Sequence, residues 1–194
     1  MMQHIYTQPQ FGENWFGYEE LYKHFVEKTP DGGTIVEVGC WKGKSISFLG
    51  VEIANSGKNI KCYGVDTWKG SGSIHDTDPY VRTNRLYELF LGNTSSLKHI
   101  ITPIRLPSIE AAKQFEDNSL DAVFIDANHD YENVKADINA WYPKVKSGGI
   151  ISGHDYSPIA EGNGHPGVRQ AVHESFPVEK LVVYPANCST YLKP

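Results

Sequence analysis

The sequence is short of cysteine, carries no broad excess of positive charge and has no long apolar run. Cys40, Cys62 and Cys188 are an odd number with no C-x-x-C pair. That argues against a disulfide framework and fits a reducing compartment, with the thiols as small buried side chains. A net charge of −5 argues against the wide basic surface that nucleic acid needs. No apolar stretch approaches the roughly 20 residues of a membrane-spanning helix. The opening "MMQHIYTQPQFGENW" lacks the basic and apolar blocks of a secretory signal. No repeat or low-complexity tract is visible. The expectation is a cytoplasmic protein with no nucleic-acid or membrane partner.

What is present is ordinary globular composition: 194 residues, 40% hydrophobic and 21% charged, enough for one domain with a full core. We expect a single domain over 1–194, with an N-terminal helical segment in 1–30 and the core in 34–194. In Gly12 to Lys28 the residues Trp15, Tyr18, Tyr22, Phe25 and Val26 recur at helical spacing, ended by Pro30-Asp31-Gly32-Gly33. This stripe either lines a substrate site or packs on the domain, and it offers a face for a homo-oligomer.

From Thr34 the pattern alternates. The strands are "TIVEVG", "IKCYGVD", "HIITPIRLP", "LDAVFIDA" and "GGIISGHD". Between them, helices are expected at Ser45–Ala54, Tyr80–Leu97 and Ser108–Glu116, one opening at the N-cap Asp130 with Val134, Ile138 and Trp141 on its inner face, and one at Gly167–Ser175. The tail "EKLVVYPANCSTYLKP" reads as two antiparallel strands. Apolar strands alternating with helices predict an α/β fold. The sheet is doubly wound, Rossmann-like, seven-stranded and mostly parallel, with a C-terminal antiparallel hairpin strand and helices on both faces. Ligands in such sheets bind beyond the carboxyl ends of the strands, where the strand order reverses. Those ends carry Glu37 to Gly43, Asp66 to Trp68, Leu106 to Ser108, Asp126 to His129, and Gly153 to Tyr156.

The stretch "VEVGCWKGKS" ends like a phosphate-binding loop, but G-x-x-x-x-G-K-[ST] needs four residues between its glycines and Gly39 and Gly43 enclose three. The dinucleotide pattern G-x-G-x-x-G fails because Trp41 stands where a pyrophosphate must come close. What remains is E-x-G-x-x-x-G-x-S, with Glu37 at the strand tip and Asp66 closing the next strand, placed to accept ribose hydroxyls. An acid beside a glycine turn suits a cofactor with an adenosine part, an amino group and a positive centre. S-adenosylmethionine has all three.

On these residues the chain resembles a class I S-adenosylmethionine-dependent methyltransferase, from about Thr34 to Glu174. "EVGCWKGKS" is similar to motif I of the O-methyltransferase branch that includes catechol O-methyltransferase, and "VDTW" to motif II. "DAVFIDANHDYENVKADINAWYPKVKSGGIISGHDY" resembles a bacterial and phage group of small-molecule O-methyltransferases, with macrocin O-methyltransferase-like and cephalosporin-hydroxylase-like members. The resemblance implies roles. Gly39 and Gly43 let the backbone approach the methionine part, Glu37 and Ser45 position its ends, and Trp41 packs at the pocket mouth. Asp66 takes the ribose hydroxyls, Trp68 covers the adenine and Ser108 meets its edge.

Asp126 and Asp155 end strands expected to be neighbours, about 5 Å apart. Two converging carboxylates repel unless a cation or proton lies between them. Oxygen donors favour Mg2+ or another divalent cation, which would orient and acidify a substrate hydroxyl. Where the catechol-type pattern ends strand 5 in Asp-Asn, this chain has His154-Asp155, so His154 is the candidate third metal ligand. His129 follows Asp126 by three residues, where the catechol-type enzymes place their catalytic lysine. An imidazole there is a candidate general base. His129, His154, His165 and Asp155 also allow a two-His-one-carboxylate iron site. His165 and Arg169 are expected to face the substrate mouth, with Gly70 to Tyr80 as its lid. The expected activity is O-methylation of a small hydroxylated molecule, a sugar or secondary metabolite. A metal-independent N-methyltransferase and a non-catalytic cofactor-binding module are the rival readings.

Overall fold

A computed structural model describes residues 1–12, 15–72, 75–159, 162 and 164–194. Five parallel strands and a terminal hairpin form one sheet: β1 (Thr34–Val38), β2 (Lys61–Asp66), β3 (Ile101–Arg105), β4 (Leu120–Ile125), β5 (Val145–Gly153), β6 (Val182–Tyr184) and β7 (Cys188–Leu192), in the order β3-β2-β1-β4-β5-β7-β6. β1 pairs in parallel with both β2 and β4, β4 in parallel with β5, and β7 antiparallel with β5 and β6. The order therefore reverses at β1, and the crevice above β1 and β4 is the switch point where a ligand is expected.

Helices α1 (Glu19–Lys28), α2 (Lys44–Ser56), α3 (Pro79–Arg82), α4 (Leu86–Asn93), α5 (Ser108–Ala112), α6 (Tyr131–Trp141) and α7 (Pro166–Ser175) connect the strands. They bury two apolar layers, as strands apolar on both faces require. One layer joins α1, α2 and α4 through Tyr22, Phe25, Leu49, Phe90 and Phe124. The other joins α5, α6 and α7 through Val123, Ile138, Trp141, Val168 and Tyr191. Local signals fix the ends. Gly57 closes α2 in the left-handed conformation at φ 71°. The Asp130 carboxylate accepts from the Asn133 amide at 3.1 Å and caps α6.

Two helices differ from the sequence expectation. Among the described residues of the segment expected to be helical from Gly12, the α-helix is α1, with a 3-10 turn at Pro9–Phe11 before the segment. The Tyr80–Leu97 stretch breaks into α3, α4 and a 3-10 turn at Ser95–Leu97, because Asn84 takes φ 53° and reverses the chain there. All three cysteines are buried and unpaired. Among the described residues no helix is long and apolar enough to cross a membrane.

Candidate active site

The loop after β1 is built around Gly39 and Gly43, at φ 91° and 87°, where an L side chain is strained. The Gly39 amide bonds the Val65 carbonyl at 2.8 Å and the Asp126 amide bonds the Val38 carbonyl at 2.7 Å, so the loop is gripped from β2 and from the end of β4. Gly43 leads straight into α2 as its N-cap, which aims the first free amides of that helix at the crevice.

Asp66 holds this loop in shape. Its Oδ2 accepts from the Cys40 and Trp41 amides at 2.9 Å each, and its Oδ1 from the Trp68 amide at 2.8 Å. The Thr67 amide bears on the same carboxylate, which has about four acceptor directions. Burial pushes the Asp66 pKa up against the pull of these amide bonds. Trp68 has a different place from the one expected over the adenine. It is fully buried, lies against Tyr87 and Phe90, and donates its indole N–H to the Trp41 carbonyl at 3.0 Å. It supports the loop from beneath.

Glu37 lies under the same loop, fully buried, and accepts from the Tyr22 hydroxyl at 2.6 Å and the Ser45 hydroxyl at 2.8 Å. Burial raises its pKa from 4.5 to about 8, against those hydrogen bonds. Below 4.5 both folded and unfolded chains hold this proton, and the stabilisation is complete. Between 4.5 and about 8 only the folded chain holds it, so stability falls as pH rises, by about 1.4 kcal/mol per pH unit. Glu37→Gln, an isostere of the protonated acid, is therefore expected to gain stability relative to wild type from pH 5 to pH 8. Urea unfolding at each pH measures this, and a constant difference between the two proteins would refute it.

Above the loop opens a cleft of about 870 Å³, the size of a cofactor-plus-substrate pocket. It is lined by Gly39, Trp41, Ser45, Asp66 and Ser108 and also by Asp126, His129, His154, Asp155 and His165. Ser108 opens α5 and accepts from the Trp141 indole at 2.8 Å. Asp137, which the sequence reading passed over, lines the cleft near it, with a pKa raised to about 6 by burial. Trp15 and Tyr18 of the aromatic stripe line the cleft, whereas Tyr22 and Phe25 of the same stripe are in the core. Arg169 lies outside the cleft lining and His165 within it. Of the expected lid, Gly70, Ser71 and His75 face the cleft, while Ser73 and Ile74 lie outside the described residues.

The acidic strand ends converge as the topology requires. His129 Nε2 lies 2.8 Å from Asp155 Oδ2 and 4.0 Å from Asp126 Oδ1. His154 Nδ1 lies 3.2 Å from Asp155 Oδ2 and 3.5 Å from Asp126 Oδ1. Tyr18, reaching across from the N-terminal segment, donates to Asp126 Oδ2 at 3.2 Å. Contact with Asp126 and Asp155 raises His129 to about 9. For His154 burial pulls down, and the same two carboxylates overcome it to raise the ring to about 10. Burial opposes ionisation of Asp126 and Asp155, but the two imidazoles hold both below the usual carboxylate range. Two positive rings thus compensate two negative carboxylates, which is the position a divalent cation would take over. The donors fit one: Asp126, His154 and Asp155 offer ligand atoms within 4.8 Å of one another, as do His129, Asp155 and His165. Asp155 itself sits at φ 59°, a left-handed conformation of the kind held at functional sites.

The doubly wound sheet thus carries a glycine loop and the strand-end acid Asp66 at its switch point, and the cleft there opens on a carboxylate–imidazole cluster. Residues 36–156 match the family described as "Methyltransferase domain", and the chain belongs to that family. Uncharacterized protein y4gI of Sinorhizobium fredii (strain NBRC 101917 / NGR234) is 28% identical over 130 residues, 67% of this chain but 14% of that protein's length. Among solved structures, the O-methyltransferase NovP is similar with TM-score 0.68 and 19% identity, over 90% of this chain and 78% of that one. CalS11, a TDP-rhamnose 3'-O-methyltransferase in calicheamicin biosynthesis, has TM-score 0.59 and 16% identity, over 90% and 76% of the two chains. A SAM-dependent methyltransferase from Aquifex aeolicus has TM-score 0.54 and 17% identity, over 89% and 86%. At these identities the likeness shows the fold.

Proposed function

We propose that the protein transfers the methyl group of S-adenosylmethionine to a hydroxyl of a small molecule, a sugar or other metabolite, with the help of a divalent cation. The observation that carries this reading is the convergence of Asp126, His154 and Asp155 within 4.8 Å in the cleft that the glycine loop also lines. The O-methyltransferase likenesses, one of them acting on a TDP-rhamnose, support it at the level of the fold. The methionine part of the donor would lie on Gly39 to Gly43, its ribose on Asp66, and its adenine towards Ser108 and Asp137. Held by Asp126, His154 and Asp155, a cation would supply Lewis acidity that lowers the pKa of an acceptor hydroxyl. The ionised oxygen then forms the new C–O bond as the S–CH3 bond breaks, its electron pair staying on sulfur. Alignment of the two substrates is the protein's main contribution to such a displacement. A general-base role for His129 needs a neutral ring, which the two carboxylates oppose until their charge is compensated.

Calorimetric titration tests the reading. S-adenosylmethionine is expected to bind at micromolar concentration, and Mg2+ or Mn2+ to give a separate heat that EDTA removes. Hydroxylated acceptors would then be methylated only with the cation present. Turnover undiminished by EDTA would sink the metal-assisted reading in favour of metal-independent transfer to nitrogen or oxygen. Donor binding with no turnover on any acceptor would favour a binding module.

A further inference from the structure

Resting on that metal-assisted reading, we propose that His129 is a fourth ligand of the cation, opposite Asp126, and that the resulting pair of imidazoles and pair of carboxylates selects a transition-series ion over Mg2+.

The distances carry the ligand assignment. An octahedral ion with donors at about 2.1 Å puts neighbouring donors about 3.0 Å apart and opposite donors about 4.2 Å apart. His129 to Asp155, His154 to Asp155 and His154 to Asp126 are 2.8, 3.2 and 3.5 Å, the spacing of neighbours. His129 to Asp126 is 4.0 Å, the spacing of opposites. Four of the six donor separations are thus those expected around one ion, and the two triads of ligand atoms within 4.8 Å of one another share Asp155. His129 is also held in orientation: its ring stacks on His165 with centroids 4.4 Å apart and planes 20° from parallel. The His165 amide in turn bonds the Asp155 carbonyl at 2.8 Å, which ties the stacking partner to the ligand loop.

The donor types carry the selectivity. Mg2+ is a hard ion that keeps oxygen ligands and several waters. Imidazole nitrogen suits the first-row transition ions, whose affinities rise from Mn2+ through Co2+ to Cu2+. Two imidazoles among four protein donors thus favour ions such as Co2+ or Zn2+. The assignment also changes the chemistry. With its nitrogen on the ion, His129 has no lone pair for a proton, and ionisation of the acceptor hydroxyl falls to Lewis acidity.

The test is titration of chelator-stripped full-length protein with Co2+ alone and Mg2+ alone. Co2+ is expected to bind at least about 100-fold tighter than Mg2+, with a visible spectrum unlike that of the aqueous ion. His129→Ala and His154→Ala are each expected to weaken Co2+ at least about tenfold, the loss already found when an outer-shell partner is removed. His154→Asp, which keeps a donor and changes its type, is expected to narrow the Co2+/Mg2+ ratio. Equal affinities for the two ions would overturn the selectivity. His129→Ala with wild-type Co2+ affinity and spectrum would overturn the ligand assignment, and if turnover were lost it would return His129 to the role of base. Co2+ bound through His129 by an enzyme whose turnover ignores EDTA would confirm the ligand set and sink the metal-assisted reading instead.

Discussion

Asp155→Ala is expected to lower kcat by at least about 1,000-fold. Lewis-acid stabilisation of a developing alkoxide is worth several kcal/mol, and each 1.4 kcal/mol is about tenfold in rate. Asp155 is the residue that both candidate ligand groups share, and its Oδ2 touches both His129 and His154. Its removal leaves two imidazoles with one carboxylate, a set that holds a cation less firmly and no longer balances charge. Both histidines would lose one of the two carboxylates that keep their pKa raised, Asp126 remaining. Donor binding should change little, because the glycine loop is held by Asp66 and the Val65 carbonyl and not by Asp155. Alanine at φ 59° is less comfortable than aspartate, which tolerates left-handed backbone. Asp155→Asn is therefore the cleaner variant: it keeps the backbone preference and shape and removes the charge. Single-turnover kinetics beside S-adenosylmethionine calorimetry separates the effects. A kcat within about tenfold of wild type in both variants would mean that the carboxylate pair is not at the chemistry.

The strand ends were the legible part of this molecule. "GVD", "FID" and "SGHD" each announce a strand ending at an acid, and all three acids stand at the carboxyl ends of strands of one parallel sheet. The period of the pattern and the crossover rule suffice for that. What was not legible depends on contacts between distant segments. Nothing in the local sequence says that Tyr18 reaches Asp126, 108 positions away, or that Lys42 of the glycine loop forms an ion pair with Asp78 at 2.7 Å. Trp68 reads as a ligand-facing aromatic because it follows a strand-end acid, yet φ 53° turns it back into the core. Glu37 reads as a cofactor contact, but Tyr22 and Ser45 occupy its oxygens beneath the loop. In both cases residue type and position along the strand were right, and the face was decided by a backbone turn or a partner from another element.

Gly39→Ala is expected to abolish donor binding and to destabilise the fold together, because the glycine does two jobs. At φ 91° an alanine costs about 1–2 kcal/mol in backbone strain. Its Cβ would also run into the Asp126 carbonyl and the Ala127 Cα. These are backbone atoms held by the bond from the Asp126 amide to the Val38 carbonyl, so no side-chain rotation can relieve the clash. Overpacking of that kind adds about 1–3 kcal/mol. For a chain of this length the sum corresponds to a fall in Tm of roughly 5–15 °C. The alternative to unfolding is that β1 and β4 part at their carboxyl ends. That moves Asp126 away from His154 and breaks the cation cluster along with the donor loop. Gly43→Ala is the control within the same loop. It is also at positive φ, but its Cβ would meet the side chains of Phe90 and Thr94, at 3.0 Å each, which can shift. It should therefore cost less stability and leave the Asp126 cluster in place. Thermal unfolding, donor calorimetry and Co2+ titration of the two variants give the comparison. If Gly39→Ala bound S-adenosylmethionine as wild type does, the donor would not lie on this loop, and the switch-point crevice would have to hold it by other contacts.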